Sequence, residues 1–262
     1  MSGPVETPSR RRVLTGLAQA GLAGAGFAGV AFGMPAAAPA QTARIDPRQP
    51  YSARPVDMAL VLAVDCSRSI DAEEYRLQAL GYAAAFRTDR VRKAALGGRR
   101  GAIAVAMTQW GGQRAQELVV DWTLLADPAG LENFAGRLAA QPRMIEDDAT
   151  SLSGAIDHAR RLFGTLPYAA ERKVIDVSGD GINNQGRLPR FARDEAVDDG
   201  IGINGLPILT EYGTLDRYFR AEVIGGPGAF VVPARRFADF GPAIANKIAQ
   251  EVAGVADGAR SA

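Results

Sequence analysis

The chain of 262 residues has one cysteine, Cys66, and one histidine, His158. A single cysteine excludes an internal disulfide. A single histidine leaves any Ser-His-Asp hydrolase dependent on His158, and no Gly-x-Ser-x-Gly elbow accompanies it. His158 falls off the apolar face of its helix and reads as a surface residue. The charges nearly cancel, 30 Lys and Arg against 29 Asp and Glu, so nothing in the balance attracts nucleic acid or an anionic membrane. The basic stretch Arg90 to Arg100 reads as a solvated turn at the end of a helix. Gly225-Gly226-Pro227-Gly228 lacks a following Lys-Ser/Thr and reads as a turn, not a phosphate loop. No internal repeat is present.

The N-terminus carries an address. Ser9-Arg10-Arg11-Arg12-Val13-Leu14 is a twin-arginine pattern, followed by a weakly apolar Ala/Gly-rich stretch from Leu17 to Phe32 and a small-x-small site at Ala38-Pro39-Ala40. Residues 1–40, with Arg10 and Arg11 as the signal, are expected to direct export to the periplasm or beyond. The glycines make the stretch a poor spanning helix, and no membrane span is expected in the mature chain. Residues 41–55 read as a linker, 56–254 as one domain and 255–262 as a tail.

Within the domain, apolar runs alternate with amphipathic segments. Strands are expected over Asp57–Asp65, Gly101–Trp110, Gln116–Trp122, Lys173–Ser178, Gly202–Ile208 and Ala229–Val232. Helices are expected over Ala72–Thr88, Asp127–Ala140, Ser151–Phe163, Leu188–Asp199, Leu215–Phe219 and Phe237–Val252. This order predicts an α/β fold with a doubly wound, mainly parallel sheet and helices on both faces. Such sheets bind ligands at the carboxyl ends of their strands.

Three segments can reach that rim. The buried run Val61-Leu62-Ala63-Val64 ends in Asp65-Cys66-Ser67-Arg68-Ser69. Thr150 opens the helix that follows the Gln141–Ala149 loop. Asp180 ends the strand Val177-Ser178-Gly179-Asp180-Gly181. Short oxygen-bearing side chains suit a hard cation. With only two carboxylates among five ligands, a divalent ion keeps much of its positive charge and favours an incoming anionic oxygen. Capping is the plain alternative: Ser69 or Asp71 for the first helix, Thr150 for the later one. Cys66, between ligands, reads as a small buried thiol.

This pattern resembles the von Willebrand factor A (VWA) domains, the integrin I-like fold, over Val56 to about Ala253. Ile203 to Ile208 and Val223 to Val231 are similar to an exported bacterial branch of unknown function. The resemblance implies a Rossmann-like VWA fold and a metal-ion-dependent adhesion site, or MIDAS. Its ligands fall on Asp65, Ser67, Ser69, Thr150 and Asp180, its cofactor is Mg²⁺ (or Mn²⁺ or Ca²⁺), and its partner is a protein presenting Asp or Glu. The family often has glycines before the threonine. Here Asp147-Asp148-Ala149 precede it, either as accessory ligands or as solvated loop charges.

The expectation is an exported, metal-dependent protein-binding module and not an enzyme, since no convincing nucleophile or general base is present. Two alternatives belong to other classes. One is a metal-dependent hydrolase or phosphatase, though Asp65 lacks the second acid of an Asp-x-Asp pattern. The other is an assembly protein with a metal-free site.

Overall fold

A computed structural model describes residues 54–254. The expected export signal with Arg10 and Arg11, residues 41–53 of the expected linker, and the 255–262 tail lie outside the described residues.

The chain order is β1 (Pro55–Val56), β2 (Met58–Asp65), α1 (Ala72–Arg87), α2 (Asp89–Leu96), β3 (Ile103–Trp110), β4 (Gln116–Leu125), α3 (Pro128–Ala139), α4 (Leu152–Leu162), β5 (Ala169–Ala170), β6 (Lys173–Gly179), α5 (Pro189–Asp198), β7 (Ile201–Pro207), α6 (Leu215–Tyr218) and α7 (Phe240–Ala253). The main sheet runs β4-β3-β2-β6-β7. Only β4 is antiparallel. β2 is central, and all eight of its residues are buried. A strand covered on both faces reads as a continuous apolar run, because both sides of its pleat meet a helix layer.

Alternation sorts that run into two cores. Met58, Leu60, Leu62 and Val64 pack with α1, α3 and α7. Ala59, Val61 and Ala63 pack with α4 and α5. α7 lies close against α1 at Gly81, where a Cβ would come within 2.7 Å of the Phe240 ring.

The structure departs from the sequence reading in four places. The basic stretch after α1 is not a turn. Asp89–Leu96 is a helix, capped by the Thr88 hydroxyl at 3.3 Å from Val91 N, with Val91 and Ala95 buried and the cationic side chains between them turned outward. Ala229–Val232 is not a strand. It runs alongside β7 but pairs with it through the single bridge of Val231 to Gly205, with a second at Ala234 to Ile208 beyond it, so no continuous ladder forms. β4 continues to Leu125. Pro55, expected in the linker, pairs with Ala169 in a two-stranded sheet of its own. Among the described residues no helix is long and apolar enough to cross a membrane.

Candidate metal centre

Three loops meet at the carboxyl end of the sheet. β2 and β6 are hydrogen-bonded neighbours, with Val64 opposite Ser178, so Asp65 at one strand end lies beside the Gly179-Asp180 exit of the other. Asp65 is buried, and its Oδ1 accepts from Ser67 N at 2.7 Å. This local turn folds the next residues back over the strand end. It brings Ser67 Oγ within 3.2 Å of Ser69 Oγ. Ser69 Oγ in turn donates to Asp180 Oδ1 at 2.7 Å, joining residues 111 positions apart.

Thr150 arrives from the loop before α4. Its N donates to Asn184 Oδ1 at 2.8 Å, and its O accepts from Asn184 N at 2.9 Å. A Cβ placed on Gly181 would lie 3.4 Å from Thr150 Oγ1. The threonine hydroxyl is thus beside the residue after Asp180. Ser69, Thr150 and Gly181 line one cleft of about 370 Å³. All five expected ligands lie at one rim.

The capping alternative is answered by neighbours of these residues. Asp71 caps α1 in a reciprocal box with Glu74, at 2.8 and 3.0 Å. Ser151 caps α4, accepting from Gly154 N at 3.1 Å. Ser69 and Thr150 are therefore not needed as caps, and their hydroxyls are available to the rim.

Asp65 Oδ2 and Asp180 Oδ2 are buried with no hydrogen-bond partner. Buried carboxylate oxygens are ordinarily paired, and an orphan calls for an explanation, an absent ion or water among them. Burial lifts the Asp65 carboxyl to about 8, and the charge of Asp180 adds to the rise. Burial also lifts Asp180, to about 6, against the pull of the Ser69 hydrogen bond. Gly179 makes the approach possible: a Cβ there would lie 2.7 Å from Asp65 Oδ2 and 3.2 Å from Trp110. Trp110 is fully buried and sits opposite Asp65 in the sheet register. Two inward carboxylate oxygens, three hydroxyls and a cleft above them fit a hard divalent cation. Among the described residues no group of three or more His, Cys, Asp or Glu comes together as a metal site.

The two accessory acids lie beside the rim, Asp148 lining the same cleft as Ser69 and Thr150. Asp147 pairs by backbone with Ser67, and its Oδ1 accepts from Ala149 N at 2.9 Å. Asp148 forms an exposed ion pair with Arg68 at 3.3 Å. Cys66 is buried, and burial pushes its thiol up. His158 is half-buried and not at the surface as expected. Its Nε2 has no partner, and burial with the charge of Arg161 holds it below its usual value.

Residues 55–256 match the family described as "Protein of unknown function (DUF1194)". The chain belongs to that family. No curated protein matches it. Among solved structures, proximal thread matrix protein 1 from the mussel byssus is 13% identical, with a TM-score of 0.56, over 78% of this chain and 49% of that one. The chain thus spans about half the length of that relative. The same mussel protein has been solved with a zinc-occupied MIDAS motif, at a TM-score of 0.52. The von Willebrand factor domain of the pilus tip protein Mfa5 from Porphyromonas gingivalis is 14% identical, with a TM-score of 0.51, over 75% of this chain and 95% of that one. At these identities the likeness is one of fold: this DUF1194 member has the VWA fold.

Sequence reasoning missed three residues that hold the site. Arg143 Nη2 donates to the carbonyls of Cys66 and Ser67, at 2.9 and 3.2 Å, fastening the first loop. Asn184 fastens Thr150 to the Asp180 loop. Gly179 leaves the space that Asp65 occupies. Only Asn184 had a visible signal, the polar run Asn183-Asn184-Gln185 just after Asp180-Gly181.

Proposed function

We propose that this DUF1194 member is an exported binding module that recognises an acidic group of a partner protein through a divalent cation at the sheet rim. The reading is carried by two buried, unpartnered carboxylate oxygens, Asp65 Oδ2 and Asp180 Oδ2, beside hydroxyls that no helix cap uses. Ser67, Ser69 and Thr150 would offer oxygen donors to the ion, directly or through water, and Asp65 and Asp180 would supply negative charge and hold coordinated water. Mg²⁺ is the first choice, with Mn²⁺ or Ca²⁺ as substitutes. When bound, the cation supplies positive charge in excess of what two carboxylates cancel, and so an attraction for a carboxylate oxygen from outside. The residues of the chain orient that position. Arg143 and Asn184 fix the two loops, and the cleft admits a side chain from the solvent side.

The VWA-fold neighbours named for a pilus tip and a byssal thread matrix support an extracytoplasmic binding role. Export through the twin-arginine route rests on Arg10 and Arg11. Cell fractionation of an Arg10→Lys, Arg11→Lys double variant tests it, and unchanged export would refute it. A Ser-His-Asp reading would require a hydroxyl on His158 Nε2, and among the described residues that atom has no hydrogen-bond partner.

The deciding experiment is affinity capture from a periplasmic extract, with and without chelator, using wild type and Asp180→Ala. A partner retained by metal-loaded wild type and lost in both other arms is expected. Capture that ignores both chelator and substitution would end the proposal.

A further inference from the structure

Four residues before Asp180, at Asp176 of β6, lies a buried cluster that the rim does not use. Lys247 of α7 is fully buried, with Nζ 2.5 Å from Asp176 Oδ1 in β6 and 2.6 Å from Glu251 Oε1 one helical turn on. All three side chains are shut off from solvent. Asn204 of β7 donates to Glu251 Oε1 at 3.0 Å, and its own Oδ1 accepts from Phe230 N. The Phe230 ring lies 5.7 Å from Nζ. Tyr82 and Phe240 pack edge to face in the core beside them.

As a plain salt bridge this cluster is poor. Two carboxylates face one ammonium, and burying ions costs more than their pairing returns unless every lone pair is met. Asp176 Oδ1 and Oδ2 and Glu251 Oε2 have no hydrogen-bond partner. The two acids also differ in how they meet the amine. Glu251 accepts a well-formed hydrogen bond from Nζ. Asp176 Oδ1 lies nearer, at 2.5 Å, but off the line of a regular hydrogen bond. Burial lifts both carboxyls, Glu251 to about 7, so the acid form is accessible to each. An amine in direct contact with one carboxyl at 2.5 Å and with a second at 2.6 Å, both closed off from solvent, is an arrangement for condensation.

We propose that Lys247 and Asp176 join in an amide bond, an intramolecular cross-link between α7 and β6, with Glu251 as the catalytic base. Lys247 enters as the ammonium, Asp176 as the acid and Glu251 as the carboxylate. Glu251 takes one proton, and the Nζ lone pair then attacks Asp176 Cγ. The new bond is Nζ–Cγ, and the bond that breaks is Cγ to the departing hydroxyl. That hydroxyl leaves as water with a second proton from nitrogen, relayed through Glu251. The products are a neutral amide, one water and Glu251 in its acid form. No redox partner is needed. The step replaces a buried ammonium and carboxylate by neutral groups, which removes their desolvation cost. A cleft of about 710 Å³, lined in part by Glu251 and Asn204, gives the water an exit. The bond would fasten the closing helix to the strand that carries Asp180.

Intact-mass spectrometry of the full chain, unfolded in acid and with its N-terminus determined, tests this directly. Wild type is expected one water lighter than its sequence mass. Trypsin should fail to cut after Lys247, leaving residues 174–187 attached to the peptide that contains it. Lys247→Arg and Glu251→Gln should both show the full mass. Wild type at full mass, cut normally at Lys247, overturns the proposal whatever the variants do. A one-water loss that persists in Lys247→Arg overturns it too, since the loss then lies elsewhere.

Discussion

Replacing Asp180 by Asn should make the metal-free protein more stable and at the same time deprive it of its response to metal. Asp180 is 1% exposed, and burial lifts its carboxyl from 3.8 to about 6. An acid that is weaker in the folded state stabilises the fold below its unfolded value, and that contribution is lost as pH rises through the folded one. Metal-free wild type should therefore lose stability from about pH 4 to pH 6. At about 1.4 kcal/mol per tenfold change in acidity, the full loss is about 3 kcal/mol, and local polarity reduces it to roughly 1–3 kcal/mol. Asn keeps an Oδ1 to accept from Ser69 Oγ, keeps the volume and removes the charge. It also relieves Asp65, whose own rise is partly due to Asp180.

The assay is urea unfolding at pH 8, in chelator and then in Mg²⁺. In chelator Asp180→Asn should exceed wild type by roughly 1–3 kcal/mol. Free Mg²⁺ at about 100 times its dissociation constant should add about 2.7 kcal/mol to wild type and little to the variant, closing or reversing the gap. A variant less stable than wild type in chelator would mean that the two carboxylates are not a strained pair. An unchanged increment with Mg²⁺ would mean that Asp180 does not serve the cation. Either result refutes the reasoning.

Gly179→Ala places a methyl 2.7 Å from Asp65 Oδ2; overpacking of about 1–3 kcal/mol should appear in chelator, with the Mg²⁺ increment lost in the same melt. Asn184→Ala removes the acceptor for Thr150 N; calorimetric titration should show Mg²⁺ affinity falling about tenfold, the effect expected of a group that orients a metal ligand, while circular dichroism stays that of wild type. Ser69→Ala and Asp71→Ala separate capping from ligation: Asp71→Ala should cost about 1 kcal/mol through its lost cap and leave Mg²⁺ affinity alone, whereas Ser69→Ala should do the reverse. Matched losses of affinity in those two variants would return Ser69 to a structural role.

Much was legible from the chain alone. The apolar run ending at Asp65 announced a central buried strand, because burial on both faces leaves no polar position in the period. Strand-helix alternation announced the sheet and its ligand-binding rim, because parallel strands require crossovers. Asp127 before Pro128 located the start of α3, whose cap it is. Weak local signals misled at α2, where the stripe of Val91 and Ala95 is too narrow to stand out among arginines, and at Ala229–Val232, where a β-like sequence meets β7 through isolated bridges and not a continuous ladder.

What the linear order determined is which oxygen-bearing residues follow which strands, since that is a matter of composition and period. Tertiary structure decided what those residues do. It showed that Asp71 and Ser151 are the caps, so that neither Ser69 nor Thr150 is held as one, and it paired Asp148 with Arg68 at the edge of the cleft. It also enclosed Asp65 and Asp180 with one oxygen each unmet and set Lys247 against Asp176, which lies 71 positions away. Burial and contact at long sequence separation arise only when the chain closes on itself. The charge state and the reactivity of a side chain depend on that enclosure, and no local pattern carries it.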